Sequence, residues 1–321
     1  MSSTWLSRQP AFLRIMMLGF LMMFCLSVLP ITIYLVASEF IDLPNMKAFE
    51  TIEQQLANLD FARVYQIIVT LCVFALPAMI FSLLATNSFF KYPKLISNIN
   101  WRLIGLAIVL FIFSYPFIGF LYSVMQGLSF PTSWGIDEFL RKQDELESGL
   151  FLAFASDRTV IGVILTTLMM TIVPAFCEEI IFRGTFQRLL HESTRNPHIA
   201  IIISAIIFSA IHISPIGFIP RLLMGVMLGY VFYWSGNLWT SIAAHFFFNA
   251  IQIPVLFAAA KSGADGVIKT ADENISVVVA LISFALAATL MYFFYKTAMR
   301  NNTIDVIPVQ APEKNENILD Q

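Results

Sequence analysis

Charge is what this chain has least of. Only 12% of its 321 residues are Asp, Glu, Lys or Arg, 58% are hydrophobic, and the mean hydropathy is +0.77. A soluble domain carries about twice that charged fraction, so an ordinary soluble protein is excluded. The net charge of -2 gives no reason to expect a nucleic-acid partner. Cysteine is scarce too. Cys25, Cys72 and Cys177 each sit in an apolar run with no metal-type spacing, and read as small buried side chains. The long apolar runs contain no Asp, which speaks against an aspartyl-type intramembrane protease, since that chemistry needs two. No Gly-x-Ser-x-Gly elbow occurs. His191-Glu192 is followed by Arg195 where a zinc-type motif would have a second histidine.

What is present is apolar mass arranged in runs that approach the ~20 residues needed to span a bilayer. These are Ile15–Val36, Tyr65–Leu84, Leu103–Val124, Val160–Phe176 continuing as helix to Leu190, Ile199–Ile213, Arg221–Trp234, Leu238–Phe257 and Ile275–Tyr295. The expected fold is therefore all-α: a polytopic membrane protein of about eight transmembrane helices, with an active site in an intramembrane cavity. The sixth run is short and has Arg221 near its start. Between the first two runs, Phe49, Ile52, Leu56 and Leu59 recur at helical spacing, which predicts an amphipathic helix lying on the membrane surface. Ser38–Arg63 and Pro131–Asp157 are polar and mostly acidic, whereas Arg8/Arg14, Lys91/Lys94/Arg102, Arg188/Arg195 and Lys296/Arg300 fall on the opposite side. The positive-inside rule, with an even number of spans, then puts both termini in the cytoplasm; the expected location is as a multi-pass protein of the plasma (inner) membrane. The predicted organisation is residues 1–156 as helices 1–3 with two polar loops, 157–257 as a catalytic core of helices 4–7, 258–296 as a loop and last helix, and 297–321 as a disordered cytoplasmic tail.

Ionisable groups within a hydrocarbon layer are costly and persist where they pair or act. Glu178, Glu179 and Arg183 stand at the end of the fourth apolar run. Glu179 and Arg183 are four residues apart on one helix face and can pair. Glu178 is rotated by roughly 100° from its neighbour and is free to face a cavity. His212 lies four residues after Phe208, and Asn249 four after His245, each pair within an apolar run. A glutamate and a histidine converging on one water can deprotonate it for attack on a peptide carbonyl. A second histidine and an asparagine amide can stabilise the resulting oxyanion. Alternatively, Glu178, His212 and His245 could hold a divalent metal such as zinc. The residues leave both readings open. Counted along the apolar runs, Glu178 falls near one end of its span while His212 lies roughly 20 Å along its own. The groups meet only if the spans tilt or the fourth helix runs deeper than its apolar stretch.

The order Glu178-Glu179-x-x-x-Arg183, Phe208-x-x-x-His212, His245-x-x-x-Asn249 resembles the three motifs of the CAAX-type intramembrane endopeptidases. These are the type II CAAX prenyl proteases and their bacterial relatives, also called CPBP or Abi proteins. Gly225, Gly229, Gly236, Asn237 and Leu238 fit the pattern between them. The resemblance covers about Leu165 to Asn249. It implies Glu178 and His212 as the water-activating pair, His245 and Asn249 as the oxyanion side, Glu179 and Arg183 in support, and a peptide or protein substrate met in membrane lipid. Gly225-x-x-x-Gly229 also predicts a close helix–helix approach. Two other classes compete: a proton- or ion-coupled transporter, and a non-catalytic immunity or scaffold protein of the same fold. Repeat symmetry between halves, expected of many transporters, is not found. A non-catalytic relative would be expected to have lost a motif residue, and none is lost.

Overall fold

Each apolar run becomes a helix because a bilayer leaves no other way to satisfy backbone N–H and C=O groups. The structure, a computed structural model, describes residues 4–39, 59–95, 98–128, 136–261 and 275–300. Its helices are α1 (Ala11–Ser38), α2 (Leu59–Thr86), α3 (Trp101–Gly127), α4 (Ile136–Ser156), α5 (Val160–Thr194), α6 (Pro197–Ala210), α7 (Phe218–Ser235), α8 (Leu238–Ala250), α9 (Gln252–Lys261) and α10 (Val277–Arg300). No strand occurs among the described residues. The all-α, polytopic expectation is met. Among the described residues seven helices are long and apolar enough to cross a membrane, α8 and α9 counting together, whereas α6 is shorter.

Three expectations need adjustment. The fifth run, expected to be helical through Ile213, ends at Ala210: Ile213 has a positive φ of 50° and Ser214 precedes Pro215, which disfavours helix. Thus α6, and not the Arg221-bearing sixth run, is the short crossing. Much of the acidic segment Pro131–Asp157 is helix α4, whose charges sit on an amphipathic helix packed against α9 and α5. The last helix continues through Arg300, so the tail is shorter than expected. Residues 301–321, most of the predicted surface helix around Phe49, Ile52 and Leu56, and most of the polar stretch after Lys261 lie outside the described residues.

Local chemistry explains the turns that orient the bundle. Asn196 caps α6, its Oδ1 accepting from the His198 and Ile199 amides, with Pro197 as first helical residue. Gly236 ends α7 at φ 62°, a conformation that suits glycine. The next residue, Asn237, caps α8 and donates its amide to the Asn98 carbonyl at 2.6 Å. Helix α3 is central and packs against α7, α8 and α10. The buried core runs from Phe81 and Phe111 through Phe182 and Phe208 to Phe248.

Candidate active site

Helix α5 is 35 residues long, so the two glutamates sit near its middle. The α-helical stretch Val173–Ile181 that carries them is flanked by π-helical turns at Leu168–Ile172 and Phe182–Gln187. Such turns widen the helix and re-aim side chains, and they recur at functional sites. Pro174 opens the stretch.

Glu179 and Arg183 pair as expected. Arg183 Nη1 donates to Glu179 Oε1 at 2.8 Å, and both side chains are buried. The guanidinium is also held by the Gly225 carbonyl, 3.1 Å from Nη2, and lies over the Phe208 ring, 4.6 Å from its centroid. One turn on, Gln187 Nε2 donates to the Gly229 carbonyl at 3.1 Å. Arg183/Gln187 on α5 and Gly225/Gly229 on α7 therefore form two rungs with matching four-residue spacing. The glycines also let α7 approach α6, since a Cβ at Gly225 would lie 3.1 Å from Ala205 Cβ and one at Gly229 2.8 Å from Ile201 Cγ2. The predicted close approach is thus present. Gln187 was not singled out in the sequence. A neutral amide in an apolar helix carries little signal, and its spacing from Arg183 was the one clue.

The second acceptance by Glu179 Oε1 is from His245 Nδ1 at 3.0 Å. A carboxylate can only accept, so Nδ1 carries the proton, and in the neutral form of such a ring the lone pair is on Nε2. The same reasoning applies to His212, whose Nδ1 lies 2.8 Å from the Phe208 carbonyl. Both Nε2 atoms face Glu178: His212 Nε2 is 3.9 Å from Oε1, and His245 Nε2 is 3.9 Å from Oε2. Phe208 organises the cluster, its buried ring packing edge-on against Phe182, His212 and His245. His212 itself lies in the turn just past α6 and is partly exposed, whereas it was expected within the helix. Asn249 sits one turn after His245 on α8, partly buried, its amide making no hydrogen bond among the described residues. The other two histidines are elsewhere: His198 hydrogen-bonds the Tyr230 hydroxyl at 2.8 Å, and His191 is buried against Tyr233.

The comparisons with known proteins bear on this cluster. Residues 160–251 match the family described as Type II CAAX prenyl endopeptidase Rce1-like. Over that stretch the chain is similar to this family. A curated relative, "Uncharacterized protein YpbD" of Bacillus subtilis (strain 168), is 29% identical over 109 residues, 33% of this chain and 51% of its own length. The chain thus matches about half the length of that relative. No solved structure matches. The Rce1-like stretch contains all three motifs, from Glu178 to Asn249, together with both rungs that tie α5 to α7.

The donor set suits zinc by type, since each histidine offers Nε2 while its Nδ1–H is anchored, as metal-ligating histidines usually are. Its spacing suits zinc less well. Ligands on one tetrahedral ion at ~2.0–2.1 Å stand roughly 3.3 Å apart, whereas both Glu178–histidine separations are 3.9 Å. Among the described residues no group of three gathers closely enough to hold an ion. As placed, the residues do not close on a metal.

Proposed function

We propose that this protein is an intramembrane endopeptidase that hydrolyses a peptide bond with a water held between Glu178 and His212. The observation that carries the reading is the Glu178 carboxylate faced by two histidine Nε2 atoms at 3.9 Å within the Rce1-like stretch. That distance is too long for a direct hydrogen bond. A water oxygen off the line between the two atoms can lie about 2.8 Å from each. It would give one hydrogen to Glu178 Oε1 and the other to His212 Nε2, leaving a lone pair aimed at the substrate carbonyl. Glu178 takes the proton as the O–C bond forms, and the same proton passes to the departing amine as the C–N bond breaks.

The Asn249 amide supplies a hydrogen bond to the oxyanion. His245 borders the same oxyanion side, its ring oriented by the Nδ1–Glu179 Oε1 contact at 3.0 Å with Nε2 turned toward Glu178. The substrate class is a peptide or protein segment reached from membrane lipid.

The experiment is cleavage of a peptide library by the purified protein in liposomes. Glu178→Gln and His212→Ala should each abolish cleavage while the fold survives. Full activity in Glu178→Gln would overturn the reading in favour of a non-catalytic or transport role. A zinc-dependent version of the site is tested in the same assay: loss of activity in chelator, restored by zinc, would favour it.

For topology we propose cytoplasmic termini in the plasma (inner) membrane. The basic groups Arg14, Lys91, Arg188 and Lys296 share one end of the bundle, and α4 with its acidic side chains lies at the other. A cysteine placed at Glu145 should label from outside and one at Lys91 from the cytoplasm. The reverse pattern would invert the assignment.

A further inference from the structure

Arg221 was an awkward residue in an apolar run, and the proposed chemistry does not use it. Its surroundings give it a place. Nη2 pairs with Glu147 Oε1 of α4 at 2.7 Å, and Nη1 reaches the Ser214 carbonyl at 3.5 Å, the long end of hydrogen bonding. The guanidinium lies against Gly217 so closely that a Cβ there would be 2.7 Å from Cζ. Ser214 and Gly217 belong to the turn that follows His212. Within that turn Ile213 adopts a left-handed conformation, φ 50°, which is an outlier for a β-branched residue. The Ile213 side chain is 69% exposed, so packing within the chain does not explain it. Strained backbone persists only where its surroundings over-determine it, and such positions cluster at functional sites. Here the determinants are three. His212 Nδ1 is bound to the Phe208 carbonyl, Ser209 Oγ donates to the Phe218 carbonyl at 2.6 Å, and Arg221 is held in turn by Glu147.

We infer that Arg221 and Glu147 are positioning residues: the α4–α7 ion pair holds the strained Ile213 turn so that His212 presents Nε2 to Glu178. This rests on the endopeptidase reading for its catalytic consequence but not for its geometry. Helix α4, outside the Rce1-like stretch, thereby becomes part of what sets the active conformation.

Two readouts test it on the full-length protein. The chain has four histidines, so long-range proton–nitrogen spectra of histidine-labelled protein in detergent micelles can report each ring's tautomer, with His212→Gln assigning the signal. His212 should be Nδ1-protonated in the wild type. In Arg221→Gln, and to a lesser degree in Glu147→Gln, it should become a mixture of tautomers. In liposome cleavage the same variants should lose kcat by ~10-fold or more, since small misplacements of a catalytic group cost that much or more, with KM little changed. Glycine adopts the left-handed region freely, so adding Ile213→Gly to Arg221→Gln should recover part of both losses. If Arg221→Gln does not fold, Glu147→Gln decides, because it removes only a half-buried charge. An unchanged His212 tautomer and kcat in these variants would overturn the inference, as would failure of Ile213→Gly to recover either. If the wild type cleaves nothing, the endopeptidase reading fails, and the His212 spectra alone decide the clamp.

Discussion

Glu178 and His212 are each seventeen residues from Arg195, where α5 reverses into α6. That equal count lays Glu178 Oε1 and His212 Nε2 level across the hairpin, 3.9 Å apart. It also resolves the mismatch in depth that the apolar runs alone suggest. The polar end of α5, from Glu178 to Thr194, is helix inside the protein, so the glutamates lie as deep along one arm as His212 lies along the other. Arg195 makes the reversal with φ 54°, and Asn196 starts the second arm.

Under the proposed mechanism the neighbours Glu179 and Glu178 have different work, and one substitution separates them. Glu179 Oε1 receives both Arg183 and His245. Glu179→Gln leaves a buried guanidinium facing a neutral amide, and breaking a buried pair from one side typically costs ~3–5 kcal/mol. The expected outcome is a lower melting temperature and yield in detergent, with a fall in cleavage that follows the loss of folded protein. Glu178 pairs with no cation at hydrogen-bond distance among the described residues, so Glu178→Gln should melt like the wild type while losing cleavage. Equal melting temperatures for the two variants would contradict this division.

The parts of this arrangement legible in the sequence were those with an energetic penalty. Glu178, Glu179 and Arg183 in an apolar helix demand partners, and the Glu179–Arg183 pair follows from their spacing. The apolar runs locate every crossing but fix the ends poorly. The end of α6 depends on a left-handed Ile213, which no propensity anticipates, and so His212 was expected one turn too early in structural type, though beside the right residue. Helix α4 was obscured by its own charge, because a polar amphipathic helix resembles a loop when runs of hydrophobicity are the criterion. The link from Arg183 and Gln187 to the Gly225 and Gly229 carbonyls was hidden because backbone acceptors leave no trace in side-chain identity.

Under the proposed mechanism Asn249 should behave unlike Glu178 and His212. Its amide makes no hydrogen bond among the described residues and lies one turn from His245. Removing one oxyanion donor typically costs ~10²–10³ in rate. Asn249→Ala should therefore retain a measurable trace of turnover, with a melting temperature close to the wild type, while His212→Ala retains none. Comparable residual rates for the two, measured on one peptide in liposomes, would remove Asn249 from the oxyanion role.

Gly229 tests the contact between α5, α6 and α7 without touching a titratable group. A Cβ there would lie 2.8 Å from Ile201 Cγ2 and 3.0 Å from Gln187 Oε1, so Gly229→Ala must push α6 away or break the Gln187 rung. Overpacking of this kind typically costs ~1–3 kcal/mol. A fall in melting temperature is expected, together with reduced cleavage because α6 leads into His212. Ile201→Val, which shortens the facing side chain, should recover part of the stability in the double variant. Melting that is unchanged in Gly229→Ala would show that the helices are not in the contact described.

The junction that enters α5 should respond to acid. Arg63 is fully buried, with Nη1 on Asp60 Oδ1 at 2.8 Å and Asp157 Oδ2 at 2.9 Å, and Nη2 on the Phe154 carbonyl at 2.7 Å. Asp157 Oδ1 accepts from the Thr159 amide at 2.9 Å, and the Thr159 side chain caps α5. The Thr159 amide first, and then Arg63, hold the Asp157 carboxyl below its ordinary value. A depressed carboxylate contributes stability that is fully present above the unfolded value, about 3.9. That contribution is lost as pH falls through the lower folded value. Asp157→Asn should lower the melting temperature at neutral pH, where the charge has been removed. Its melting temperature should then fall less than the wild type's as pH drops below about 4. Tryptophan-fluorescence melts in detergent across that range compare the two. Parallel curves for the wild type and Asp157→Asn would mean that this carboxylate does not couple protonation to the stability of the junction.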